Sequence, residues 1–144
     1  MSSTIRWSFC VAAFFPLTLV AFNALGEADD QHPTAIEIAQ LPRFCWGKLG
    51  VPDAKGPEFN IQSDDCGPAM NHYCIGLVDL IRAKRATSKG QRMPALGLAD
   101  ANIRYTERAM KDYPNCSLRG HVADSRAEVN HLLRMSGGKP IDAK

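Results

Sequence analysis

Cys66-Gly67-Pro68-Ala69-Met70-Asn71-His72-Tyr73-Cys74 opens the longest clear helical run in the chain, continuing through Leu77, Val78 and Ile81 to Ala86. Met70, Tyr73, Cys74, Leu77, Val78 and Ile81 recur at three- and four-residue steps, so on a helix they share one broad apolar stripe. The run predicts a helix over 67–86, with Pro68 in its first turn, where its missing amide would have no partner. Asp64 and Asp65 then lie at the positive end of the helix. Cys74 falls on the stripe, which points to a buried bridge and not to a solvent-facing ligand. His72 falls off it, about 200° from Met70 at about 100° per residue, so those two cannot easily chelate one metal from the same helix.

Downstream, Ser88-Lys89-Gly90 reads as a turn, and a second helix is expected over 93–113, with Pro94 near its first position and Pro114 closing it. Leu96, Ala99, Ile103, Thr106, Met110 and Tyr113 keep the helical step. Ser117 is the expected N-cap of a third helix carrying Leu118, Val122, Val129, Leu132 and Leu133, which Ser136-Gly137-Gly138 ends. The first two helices are nearly equal in length and joined by a short turn, so they should lie antiparallel. That brings Cys116 beside the start of the first helix. The expected bridges are Cys66–Cys116 and Cys45–Cys74, with Cys45–Cys66 and Cys74–Cys116 as a close alternative.

Upstream, Arg6 followed by the apolar run from Trp7 to Phe22 and the small residues Ala24 and Gly26 reads as a secretory signal peptide over 1–26, cleaved after Gly26 or, next best, Ala28. The run is short for a membrane span and is broken by Pro16, which argues against an anchor. Cys10 would leave with the signal. The remaining 118 residues carry 16 basic and 15 acidic side chains, a balance that gives no general footprint for nucleic acid. They hold four cysteines, Cys45, Cys66, Cys74 and Cys116. An even count in a small exported domain is a disulfide framework.

Residues 27–65 form an N-terminal arm and loop. Glu27 to Gln31 is a polar lead-in, and His32-Pro33-Thr34 can start a short helix ended by Pro42, although Ile36-Glu37-Ile38 would also suit a brief extended piece. Pro42-Arg43-Phe44-Cys45-Trp46-Gly47 reads as one helical turn whose aromatics cover the core beside a bridge at Cys45. An exposed aromatic platform at Trp46 is the alternative. Between Gly50 and Asp65 the breakers Gly50, Pro52, Gly56 and Pro57 predict a loop, pinned by Phe59 and Ile61. Residues 66–136 form the helical domain and 137–144 a tail.

Arg82, Lys84 and Arg85 continue into Lys89 and Arg92, and no acid falls between Asp79 and Asp100. Cations at a helix carboxyl end are favoured by the dipole, and the same cluster could dock an anionic partner. The chemistry-bearing arrangements are otherwise sparse. Cys66, His72 and Cys74 lack the order for covalent haem attachment, the spread thiols do not suit structural zinc, and no nucleophile elbow is present. His72 or His121 with Met70, Met93 or Met110 is the residual metal option. Asn115-Cys116-Ser117 matches a glycosylation acceptor, but a bridged Cys116 in a tight turn opposes its use. No cofactor is implied.

Tyr105-Thr106-Glu107-Arg108-Ala109-Met110-Lys111-Asp112-Tyr113-Pro114 resembles the second helix of a tetratricopeptide repeat, with its aromatic, small residue and closing proline. The match covers about one repeat. The first helix carries Tyr73, Leu77 and Ile81 where that family has a Trp-Leu-Gly-Tyr set, and a solenoid needs about three repeats. The Cys-Trp-Gly and Met-Asn-His-Tyr-Cys patterns also resemble small exported bacterial proteins to which no activity is attached. These resemblances imply a helical binding module.

The expectation is therefore an all-α, small antiparallel helical bundle, three main helices plus a short N-terminal helical segment, clamped by two disulfides. It would be exported and would bind a protein partner in the periplasm or outside the cell, with no membrane span after signal cleavage. Trp46, Arg82, Lys84, Arg85, Lys89 and Arg92 are the candidate binding residues, the basic end of the first long helix being a possible anionic-ligand site. The alternative is a small secreted enzyme or metal-binding protein using His72.

Overall fold

A computed structural model describes residues 32–59 and 63–139. The expected signal peptide, the lead-in before His32, Ile61 and the end of the tail lie outside the described residues. All regular elements among the described residues are helical: α1 (Ala35–Ala39), α2 (Ser63–Cys66), α3 (Met70–Arg85), α4 (Lys89–Ala109) and α5 (Arg119–Met135), with 3-10 turns at Arg43–Cys45, Pro57–Phe59 and Met110–Asp112. The chain is thus an all-α bundle of three main helices with a short N-terminal helix. None of these helices is long and apolar enough to cross a membrane.

α1 is only five residues long, too short to persist alone. A capping box holds it: the Glu37 amide donates to Thr34 Oγ1 and the Thr34 amide to the Glu37 carboxylate. The first long helix begins at Met70, three residues later than its expected start, because Gly67 takes a left-handed conformation with φ +79° that turns the chain between α2 and α3. A Cβ on Gly67 would also stand 2.4 Å from the Tyr113 ring. α4 begins four residues earlier than expected. Ser88 caps it by accepting from the Gln91 amide, so Pro94 sits inside the helix. The carbonyl that Pro94 leaves without a partner belongs to Gly90, in the exposed first turn where solvent can serve it. Leu118, not Ser117, precedes α5, and no side chain caps it. Its carboxyl end closes as expected on glycine: Gly137 has φ +74°, its amide reaches Arg134 and that of Gly138 reaches Leu133, a Schellman motif.

α3 and α4 pack as the antiparallel hairpin, and α5 lies mainly on α4. Gly76 allows the first pairing, since a Cβ there would come within 3.0 Å of Ile103 and 3.1 Å of Asn102. Met70, Tyr73, Cys74, Val78 and Leu80 from α3, Leu96, Ala99 and Ile103 from α4, and Val122, Val129 and Leu133 from α5 form the core. Leu77 and Ile81, expected on the buried stripe, are only partly covered. The Tyr73 hydroxyl donates to the His121 carbonyl, and burial pushes its pKa up.

Both bridges form in the expected pairing, Cys45–Cys74 and Cys66–Cys116. The first fixes the Arg43–Cys45 turn to the middle of the bundle, where Phe44 stacks on Tyr73 at 6.4 Å. The second ties the start of the hairpin to its end. Trp46 packs on Phe59 at 5.9 Å, so Phe59 does pin the loop.

Candidate functional site

The outer face of the α3–α4 hairpin carries two rows of side chains. His72, Ile75, Asp79 and Arg82 follow one another at helical steps along α3, and Leu98, Asn102 and Tyr105 along α4. Ile75 is 44 % exposed, Leu98 56 % and Tyr105 46 %, although all three lie on the helices that build the core. Between the rows lie two adjoining hollows. One, of about 380 Å³, is walled by Pro33, Leu49, Ile75, Val78 and Leu98, with Asp79, Arg82 and Asn102 supplying its polar atoms. The other, of about 590 Å³, continues past Arg82 to Glu37, Arg85, Gln91, Pro94 and Ala95.

Arg82 separates the two. Its Nε donates to Glu37 at 2.8 Å and its second amino group to the His32 carbonyl at 3.2 Å. Asp79 approaches the same guanidinium at 4.0 Å. The Arg82 hydrogen bond is the main reason that the Glu37 carboxyl falls from 4.5 to about 2, outweighing the burial that pushes the other way. α1 is thereby strapped across one wall of the groove.

The far end is built around His72. Its Nδ1 lies 3.0 Å from Asn102 Oδ1 and its ring centroid 4.4 Å from that of Tyr105. Asn102 in turn donates from Nδ2 to Asp79 Oδ2 at 3.3 Å.

The basic run of the sequence resolves into separate roles. Arg82 and Arg85 line the larger hollow. Lys84 pairs with Glu128 of α5, and Arg92 donates to the Ala86 carbonyl at 2.9 Å, closing the turn between the two helices. Lys89 begins α4. Two acids distant in sequence, Glu37 and Glu128, thus meet Arg82 and Lys84 of the basic run. Trp46 belongs to a third hollow of about 350 Å³, with Ile38, Leu49 and Val51. Its indole donates to the Leu41 carbonyl at 3.3 Å, so it is a half-buried wall and not a free platform. The four cysteines are all in bridges, and no group of three or more His, Cys, Asp or Glu side chains among the described residues could hold a metal ion.

Ile75, Leu98 and Asn102 escaped the sequence reading, and Tyr105 entered it only within the tetratricopeptide-like segment. Their signal is the apolar residue that falls off the main stripe: Ile75 and Leu98 lie between core positions, and both face outward. Comparison of the chain with family models, curated proteins and solved structures gives no match.

Proposed function

We propose that this is an exported helical binding module that engages a protein partner, in the periplasm or outside the cell, through the α3–α4 face. The observation that carries this reading is the pair Ile75 and Leu98, both exposed and lining one apolar hollow with Asn102 and Arg82, with Arg85 in the adjoining hollow and His72 and Tyr105 a helical step further along the same two rows. An aliphatic centre with a polar, partly aromatic rim is the composition of a recognition surface. Export is supported by two buried disulfides, which persist in oxidising compartments. The paired long helices and the tetratricopeptide-like Tyr105–Pro114 segment agree with such a role.

A photo-crosslinking residue at position 98, with one at exposed Ala123 as control, tests the proposal. One saturable protein adduct from position 98, none from 123, and its loss in an Ile75→Glu background would support the reading. Equal adducts at both positions would end it. The enzyme or metal-binding alternative rests on the anchoring of His72. His72→Ala would abolish a hydrolytic activity or metal uptake, but would only weaken partner capture.

A further inference from the structure

Asp79, Asn102 and His72 form a hydrogen-bonded chain whose direction can be worked out. A carboxylate only accepts, so the Asn102 group facing Asp79 at 3.3 Å is its amide nitrogen. The Asn102 carbonyl oxygen must then face His72, 3.0 Å from Nδ1. A carbonyl also only accepts, so Nδ1 carries the proton. In the neutral imidazole the other nitrogen, Nε2, is left as a bare acceptor. This is the minor tautomer of free histidine, and it is held here by a half-buried asparagine backed by a buried carboxylate. The exposed ring, leaning on Tyr105, therefore offers solvent a lone pair of fixed direction.

We propose that His72 Nε2 is the acceptor anchor of the α3–α4 face, and that it selects a protein segment presenting a hydrogen-bond donor there. The inference rests on the binding function proposed above. The rest of the groove sets the order of the partner's groups. Beside His72 comes the Ile75–Leu98 hollow, which suits an aliphatic side chain, and beyond Arg82 comes Arg85, which suits a carboxylate. From His72 to Arg85 the helix rises about 20 Å. The fitting segment is thus donor, aliphatic, acidic, in that spatial order, with Asn102 acting as a positioning residue for His72.

Nitrogen-15 NMR of the imidazole at alkaline pH reads the first half without any partner. Wild type should show the Nδ1–H pattern, and Asn102→Leu should revert to Nε2–H with the melting curve still cooperative. An Nε2–H pattern in the wild-type protein overturns the inference. A displayed library of random peptides about twelve residues long reads the second half. Enriched peptides should carry the donor–aliphatic–acidic order, lose binding on Leu98→Glu, and weaken about 3- to 10-fold on His72→Phe, the loss of one hydrogen bond. Binders that need Leu98 but ignore His72→Phe overturn this inference alone. A library with no Leu98-dependent binder overturns the proposed function with it.

Discussion

Glu37 does two jobs with one carboxylate. It completes the Thr34 capping box that lets a five-residue helix form, and it pairs with Arg82, 45 positions away, which joins that helix to α3. The first job is legible in the spacing Thr34-x-x-Glu37; the second is not, because nothing local distinguishes this acid from any other. With the folded pKa at about 2 and the ordinary value at 4.5, the folded state holds the ionised form more tightly. The stabilisation is complete above the unfolded pKa and fades as pH falls from about 4.5 toward 2. Its size at neutral pH is on the order of 1–3 kcal/mol. Glu37→Gln should accordingly lower urea stability at pH 7 by that amount, and the difference from wild type should shrink steadily by pH 3. A constant difference across that range would show that the carboxylate's charge is not what Arg82 holds. Gly67→Ala is the backbone counterpart. It meets both a left-handed φ and the Tyr113 ring at 2.4 Å, and should cost about 2 kcal/mol or more in denaturant melts.

At the scale of elements, the hydrophobic steps placed all three long helices and the Leu96, Ala99, Ile103, Thr106 and Met110 core line correctly. The ends of α3 and α4 were set by features that periodicity does not carry. The Gly67 turn moved one start later, and the Ser88 cap moved the other earlier across a proline. A charged pair within the α4–α5 interface also went unread. Asp100 is 1 % exposed and pairs with Arg126 of α5, which also approaches Glu107 at 3.7 Å, while Arg104 lies 3.1 Å from Asp100. The signal is present in the sequence, since Arg126 sits between Val122 and Val129 on the apolar step of its helix, where a lone charge would be costly. Removing Asp100 takes from Arg126 its buried partner and leaves it the half-exposed Glu107 at 3.7 Å, so Asp100→Ala should cost on the order of 3 kcal/mol. Replacing both, Asp100→Leu with Arg126→Met, should recover most of that loss. Thermal melts of the single and double variants give the comparison. A double variant as unstable as the single would mean that the pair sets the packing of α4 on α5 and does not merely neutralise itself.

For the whole molecule, the two bridges divide the work between arm and bundle. Cys66–Cys116 closes 50 positions entirely within the helical half, from the start of the hairpin to its end. Cys45–Cys74 closes 29 and is the covalent tie between the N-terminal arm and α3. The antiparallel hairpin placed Cys116 beside the start of α3 but left open whether it would take Cys66 or Cys74; it takes Cys66, and Cys45 takes Cys74. By the loop-closure argument each bridge stabilises by about 3–4 kcal/mol, so full reduction should lower the melting temperature by on the order of 10 °C or more. The two losses should differ in kind. Cys45 and Leu41 are the arm's buried share of a core built mainly by α3, α4 and α5, so Cys45→Ala with Cys74→Ala should leave amide protection in α4 and α5 largely intact. It should abolish protection around Trp46 and Leu49, whose amides bond within the arm. Cys66→Ala with Cys116→Ala acts on the helical half itself and should lower protection throughout the hairpin. Hydrogen exchange on the two double variants separates these patterns. Uniform loss in both would mean that arm and bundle unfold as one cooperative unit, with α1's strap across Arg82 enough to couple them.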